Sequence, residues 1–185
     1  MTEDFIRRYE LDPLTCDELV NYFWSNKDKH TDTKRVKGKQ SKDVYVDLYA
    51  MKDIPCVARY DEHLAQSLRN YCDTFPILYK ASPFAVMETL NIQWYDKGWG
   101  FKNYHAERTG ALDYSIKRIL VFMTYLNTVP DGGTDFKHYN HTETAVKGKT
   151  LIWPSDWTHT HRSQISNTQE KIIITGWVSH QWDFF

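Results

Sequence analysis

The spacing of apolar residues changes character near residue 84. Before it, Cys16, Leu19, Val20 and Phe23 form one stripe at helical spacing, and Leu64, Leu68, Tyr71, Cys72 and Phe75 form another. Residues three and four apart share a helix face, so both stripes predict helices packed on a core. Thr15 to Glu18 reads as a capping box for the first helix. The second is expected to begin at Asp61 and to end near Pro76. Residues 5–11 and 44–51 read as short strands. Between them, residues 25–42 are polar and predict a long solvated loop, a length that suggests a lid. From Phe84 onward strand follows strand, punctuated by Gly98, Gly100, Pro130, Gly132, Gly133, Gly148 and Pro154. Two helices followed by many strands predict an α+β fold, with N-terminal helices buttressing one sheet of a distorted jelly roll.

Composition narrows the class. At 185 residues, with 41% hydrophobic and 25% charged residues, the chain reads as one soluble domain, its core over about 84–180. A net charge of −1 supplies no field that would steer it to nucleic acid or membrane. The loop lysines and arginine (Lys27, Lys29, Lys34, Arg35, Lys37, Lys39 and Lys42) are interrupted by Asp28 and Asp32 and have no aromatic partners, so a nucleic-acid contact is not expected. No apolar run is long enough to span a bilayer, and the polar start does not read as a signal peptide. Cys16, Cys56 and Cys72 are odd in number and widely spaced, which suits reduced thiols and a cytoplasmic location.

The chemistry concentrates in two stretches, Tyr104-His105-Ala106-Glu107 and 153–162, the second followed by Lys171. In an extended segment His105 and Glu107 leave the same face and can reach one ion. A third ligand must come from elsewhere, and His161 is the best candidate. His159 competes with it, because a strand through Thr158-His159-Thr160-His161 would put both on one face. Two imidazoles and a carboxylate leave half of the coordination sphere open, which suits Fe(II) that binds a co-substrate and dioxygen together. A closed structural zinc site would use four ligands, and no cysteine pair has zinc spacing.

The same residues resemble the 2-oxoglutarate- and Fe(II)-dependent oxygenases, in particular the prolyl 4-hydroxylase-like branch. The matching pattern is Tyr95 ten residues before His105, then His-x-carboxylate, the 118–127 stretch ending in Tyr125-Leu126-Asn127, Gly132-Gly133-x-x-Phe136 read as a turn, 148–154, His161, Lys171 and Trp177. It covers about half of the chain. The resemblance implies a double-stranded β-helix core, iron held by His105, Glu107 and His161, and Lys171 paired with the distal carboxylate of 2-oxoglutarate. It places Tyr95 and Tyr125 on the co-substrate pocket. Strand parity puts Lys171, Ile173, Thr175 and Trp177 on one face and Gln93 with Tyr95 on another strand's face, leaving Ile92 and Trp94 behind. The family's usual Asp is here Glu107, a longer ligand. A carboxylate at that position argues against a halogenase.

The implied reaction is hydroxylation of an unactivated C–H bond with O₂, yielding succinate and CO₂, with ascorbate as a reductant. The expected substrate is a prolyl or other residue of a protein or peptide; a free amino acid or small molecule is the alternative. Arg162, Asn103, Trp157 and His159 neighbour the ligands and are expected at the substrate side. His138 and His141 are expected in a mobile surface loop, or at the mouth of the site. Two other classes compete: a non-catalytic jelly-roll module, and a cupin-like metalloenzyme in which Lys171 has no role.

Overall fold

The computed structural model describes residues 3–33, 37–81, 83–109 and 114–181. β1 (Arg7–Glu10) is followed by α1 (Pro13–Ser25), the short strands β2 (Thr31–Asp32) and β3 (Lys39–Gln40), β4 (Lys42–Val46) and α2 (Pro55–Thr74). Then come β5 (Phe84–Val86), β6 (Leu90–Tyr95), β7 (Gly100–Phe101), β8 (Arg118–Tyr125), β9 (Val129–Phe136), β10 (His141–Ala145), β11 (Lys149–Pro154), β12 (His161–Ser163) and β13 (Lys171–His180). A major sheet of eight strands runs β1-β11-β8-β13-β6-β4-β2, with β5 also on β13. A minor sheet, β10-β9-β12, faces it, and β3 pairs with β7 at its side. The architecture is the expected one: a jelly-roll, double-stranded β-helix core with two buttressing helices.

Alternation along β13 makes the two layers. Ile172, Ile174 and Val178 join Ile92, Phe122 and Ile152 against Leu19, Phe23, Tyr60, Leu64 and Tyr71 of the helices. The opposite face of the same sheet contributes Tyr95, Val121, Met123, Tyr125 and Ile173 to a second cluster with Phe136 and Trp153, between the sheets. One strand therefore holds both cores, and the inner one carries the site.

Several local expectations change. The cap of α1 is Asp12, which accepts from the Leu14 and Thr15 amides at 2.9 and 3.0 Å, with Pro13 at the first helical position. The capping-box reading placed the start too late. α2 begins at Pro55, where proline needs no amide partner, and its buried stripe of Cys56, Val57, Tyr60 and Leu64 continues upstream of Asp61. The 25–42 stretch is partly paired: β2 lies on β4 and β3 on β7. Lys34 and Arg35 lie outside the described residues. Gly132 and Gly133 sit inside β9 and form no turn. A Cβ at Gly133 would lie 2.0 Å from the Glu143 carbonyl oxygen, so this glycine lets the neighbouring strand's backbone approach. No described helix is long and apolar enough to cross a membrane, and the three cysteines are buried and free.

Gly148 gives a test of the frame. Its φ is +85°, and a Cβ there would stand 2.4 Å from the Leu11 carbonyl oxygen. Its amide and carbonyl also tie Tyr125 to Leu11, at 2.8 Å each. Gly148→Ala is expected to lower stability by about 2 kcal/mol, or about 6 °C in melting temperature, checked by thermal denaturation.

Candidate active site

His105 lies just beyond β7, in a segment held by pairing rather than by a regular strand. His105 and His161 exchange backbone hydrogen bonds of 2.9 Å each way, so one bridge fixes both imidazoles. The amides of Glu107 and Arg108 donate to the Ser155 carbonyl at 3.1 and 3.0 Å, which anchors the carboxylate's backbone to the end of β11. Each ring is then oriented by its own neighbour. His105 Nδ1 meets the Asn103 carbonyl and His161 Nδ1 the His159 carbonyl, both at 2.9 Å. A carbonyl only accepts, so Nδ1 carries the proton and Nε2 presents its lone pair. The two Nε2 atoms lie 3.4 and 3.7 Å from Glu107 Oε1.

Electrostatics suit the same purpose. Burial, and then the nearby His105, depress the His161 imidazole to about 4, so it is uncharged at neutral pH. Burial alone would raise the Glu107 carboxyl; its surroundings, the two ligand histidines and the Arg118 guanidinium, lower it instead, and of these Arg118 keeps its charge when the imidazoles are neutral. Neutral imidazoles and an ionised carboxylate are the forms that ligate metals. Donor atoms of His105, Glu107 and His161 lie within 4.8 Å of one another, close enough for a single ion to touch all three. This donor set fits Fe(II).

Glu107 uses its two oxygens differently. Oε1 faces the histidines, while Oε2 accepts from Trp177 Nε1 at 3.0 Å and from Arg118 Nη1 at 3.3 Å. Arg118 is buried, grips Glu88 with bonds of 2.8 and 2.5 Å, and stacks its guanidinium 3.6 Å from the centre of the Trp177 ring. Sequence reasoning assigned no role to Arg118 or Glu88. The only signal was an arginine opening an otherwise apolar strand. Arg118→Met is expected to weaken metal binding about 10- to 100-fold. Losing this cation also raises the Glu107 carboxyl, so the pH below which protons displace the metal should move upward. Mn(II) titrations across pH read both effects.

The three ligands open into a cavity of about 400 Å³ lined by Tyr95, Tyr125, Lys171, Thr175, Trp177 and Arg162, among others. Lys171 is buried, and its Nζ donates to the Gly132 carbonyl and Ser163 Oγ at 2.6 Å each and to the Gln164 carbonyl at 3.2 Å. Burial lowers its ammonium to about 8, against a smaller opposing pull from Asp131. Tyr125 shares a 2.6 Å bond with Thr134 Oγ1, and Tyr95 donates to Gln93 Oε1 at 2.7 Å. Burial pushes both phenols up, so they stay neutral.

The expected substrate-side residues separate. Arg162 is on the cavity wall, its guanidinium 4.4 Å from the centre of the Tyr104 ring and its Nε 3.1 Å from Asp135. His159, Trp157 and Asn103 are not among the cavity residues. His159 sits in a short 3-10 turn (Trp157–His159) before β12, so it does not share a strand face with His161. Its ring packs against Phe5 and bonds the Asp4 carbonyl and the Tyr139 hydroxyl. Trp157 is 71% exposed. Asn103 donates to the Lys37 carbonyl at 3.2 Å and braces the strap around β3. His141 opens β10 and bonds Glu143 at 2.6 Å, and His138 lies in the preceding turn beside Trp157. Neither histidine lines the cavity.

No family model matches the chain, and no curated protein matches it. Solved structures do. A Pseudomonas putida prolyl-4-hydroxylase superposes with a TM-score of 0.74 at 15% identity, covering 97% of this chain and 94% of that one. Its fold is that of the prolyl hydroxylases. The viral collagen prolyl hydroxylase of Paramecium Bursaria Chlorella virus-1, solved with 2-oxoglutarate, gives 0.73 at 16% identity over 95% and 96% of the two chains. A prolyl hydroxylase from Trichoplax adhaerens, in complex with a hypoxia-inducible-factor peptide, gives 0.70 at 13% identity over 96% and 84%. In the prolyl hydroxylase fold of this chain, the minor sheet carries His161 and the major sheet carries Lys171.

Proposed function

We propose that this chain is a 2-oxoglutarate- and Fe(II)-dependent hydroxylase that oxidises a C–H bond of a prolyl or other residue in a protein or peptide. The observation that carries the reading is a single cavity lined both by His105, Glu107 and His161, whose donor atoms converge, and by a buried ammonium, Lys171. Fe(II) held by the three ligands would supply the activation of dioxygen, with 2-oxoglutarate converted to succinate and CO₂.

The protein's own residues do the placing. Lys171 meets the distal carboxylate of 2-oxoglutarate by exchanging a backbone acceptor for it, in a dry site that strengthens the pair. Ile173, Thr175 and Tyr125 line the same cavity, and Trp177 with Arg118 holds Glu107 Oε2, which leaves Oε1 facing the two histidines. Trp153, Met123 and Val121 give the cavity apolar walls that exclude water from the reacting centre. A peptide substrate is favoured by the fold shared with a prolyl hydroxylase solved in complex with a peptide. A free amino acid is the second reading, favoured by a further cavity lysine, Lys39.

Succinate release from 2-oxoglutarate tests the proposal. It should require added Fe(II), and a lysate or amino-acid panel should show a product heavier by one oxygen. No succinate with any substrate source would favour the binding-module reading, and succinate formed without Fe(II) would contradict the assigned role of the metal.

A further inference from the structure

Asp43, on β4, is fully buried and accepts from three side chains: Lys39 Nζ at 2.9 Å, Gln93 Nε2 at 3.1 Å and Ser41 Oγ at 2.7 Å. The Lys39 side chain is 9% exposed and lines the same cavity as the triad and Lys171. The two lysines differ in how their protons are used. Lys171 commits its three to protein acceptors. Lys39 has one acceptor among the described residues, Asp43, so two of its ammonium protons have no partner among those residues, on a side chain that lines the cavity. Buried donors in that condition are the exception in folded proteins, and one that lines a cavity can be completed by a ligand there.

Position says which ligand. β3 pairs with β7 so that Lys39 stands opposite Phe101, whose ring stacks on His105 with centroids 3.6 Å apart and planes 12° from parallel. Asp43 occupies a cross-sheet row with Gln93, Ile173 and Tyr125. It is therefore two strands from β13, about 10 Å at the usual spacing. Lys39, held by Asp43, is thus set across the sheet from β13, the strand that carries Lys171. The strap that carries it is specific in build: Gly38 has φ +86°, and a Cβ there would meet the Asn103 amide.

We propose that Lys39 binds a carboxylate of the substrate, held beside His105 while its aliphatic part lies against Val121, Met123 and Trp153. The role of Lys171 in this picture rests on the hydroxylase reading above; the site at Lys39 is made of protein groups alone. A free α-carboxylate and an acidic side chain share this chemistry, and the probes separate them.

The test is anaerobic calorimetry on protein loaded with Fe(II) and 2-oxoglutarate. The probes are the free L-amino acids, their α-amides, and the N-acetyl α-amides of aspartate and glutamate. At least one carboxylate probe should bind, at least tenfold more tightly than its uncharged counterpart. Binding by free acids alone assigns the α-carboxylate, and binding by the acetylated amides assigns the side chain. Lys39→Met alone leaves Asp43 buried without its cation, so the deciding variant is Lys39→Met/Asp43→Asn, checked for folding by circular dichroism. It should lose the preference for acid over amide, and Lys39→Arg should keep it. Equal binding of acid and amide, no binding by any carboxylate probe, or an unchanged preference in the double variant would overturn the proposal. If 2-oxoglutarate does not load, the hydroxylase reading fails, and the same titration on metal-free protein still decides the role of Lys39.

Discussion

Replacing His161 by Ala is expected to abolish metal binding and succinate formation, while leaving the protein folded. The fold survives because the bridge to His105 is made by backbone atoms, which the substitution keeps. What is lost is the ring packed against Trp153 and Phe136 and the Nε2 that faces Glu107. With one of three ligands gone, the remaining pair lies on one side of the site and the ion is free to leave. His159→Ala is the control. Its ring serves the Asp4 carbonyl and Tyr139, so it should melt at a lower temperature and still bind iron. Metal titrations and melting curves of the two variants separate the roles. Iron bound normally by His161→Ala would remove that residue from the triad.

The second large effect is expected at Lys171. Lys171→Met should weaken 2-oxoglutarate binding by about 100-fold or more, because a buried carboxylate loses its charge-assisted partner, worth about 3 kcal/mol. Methionine fills the same channel, and removing an ammonium that burial already disfavours offsets part of the lost hydrogen bonding. The wild-type protein should carry a matching pH signature. Its ammonium is protonated below about 8 and is needed in that form, so affinity should be flat below pH 8 and fall about tenfold per unit above it. The bound carboxylate raises the lysine again, so the fall ends at the higher value of the complex. Unchanged activity in Lys171→Met would favour a cupin-like metalloenzyme.

The sequence made the inner face of the site readable because strand parity is strict. Lys171, Ile173, Thr175 and Trp177 were placed together by their alternation, and all four line the cavity. His105 and Glu107 follow the same logic even though a single bridge, not a full strand, extends them. Parity failed for His159, because a 3-10 turn rotates it out of the alternation that begins at His161. Lys39 was hidden in a lysine-rich stretch that composition assigns to solvent. Its period-two relation to Ser41 and Asp43 was the available clue, but pairing with β7 is a long-range event that no local pattern announces. Arg118 was equally hidden, since its partners Glu88, Glu107 and Trp177 come from three separate segments. The helix starts were misplaced for a simpler reason. Pro13 and Pro55 are good first-turn residues, and the polar side chains downstream of each imitate a beginning.

The most direct test of the central claim is an anaerobic titration of the metal-free protein with Fe(II) and then 2-oxoglutarate, followed in the visible range. A charge-transfer band that saturates at one equivalent of each, and is absent in His161→Ala, is the predicted result. Iron that binds without producing the band would contradict the account at its co-substrate.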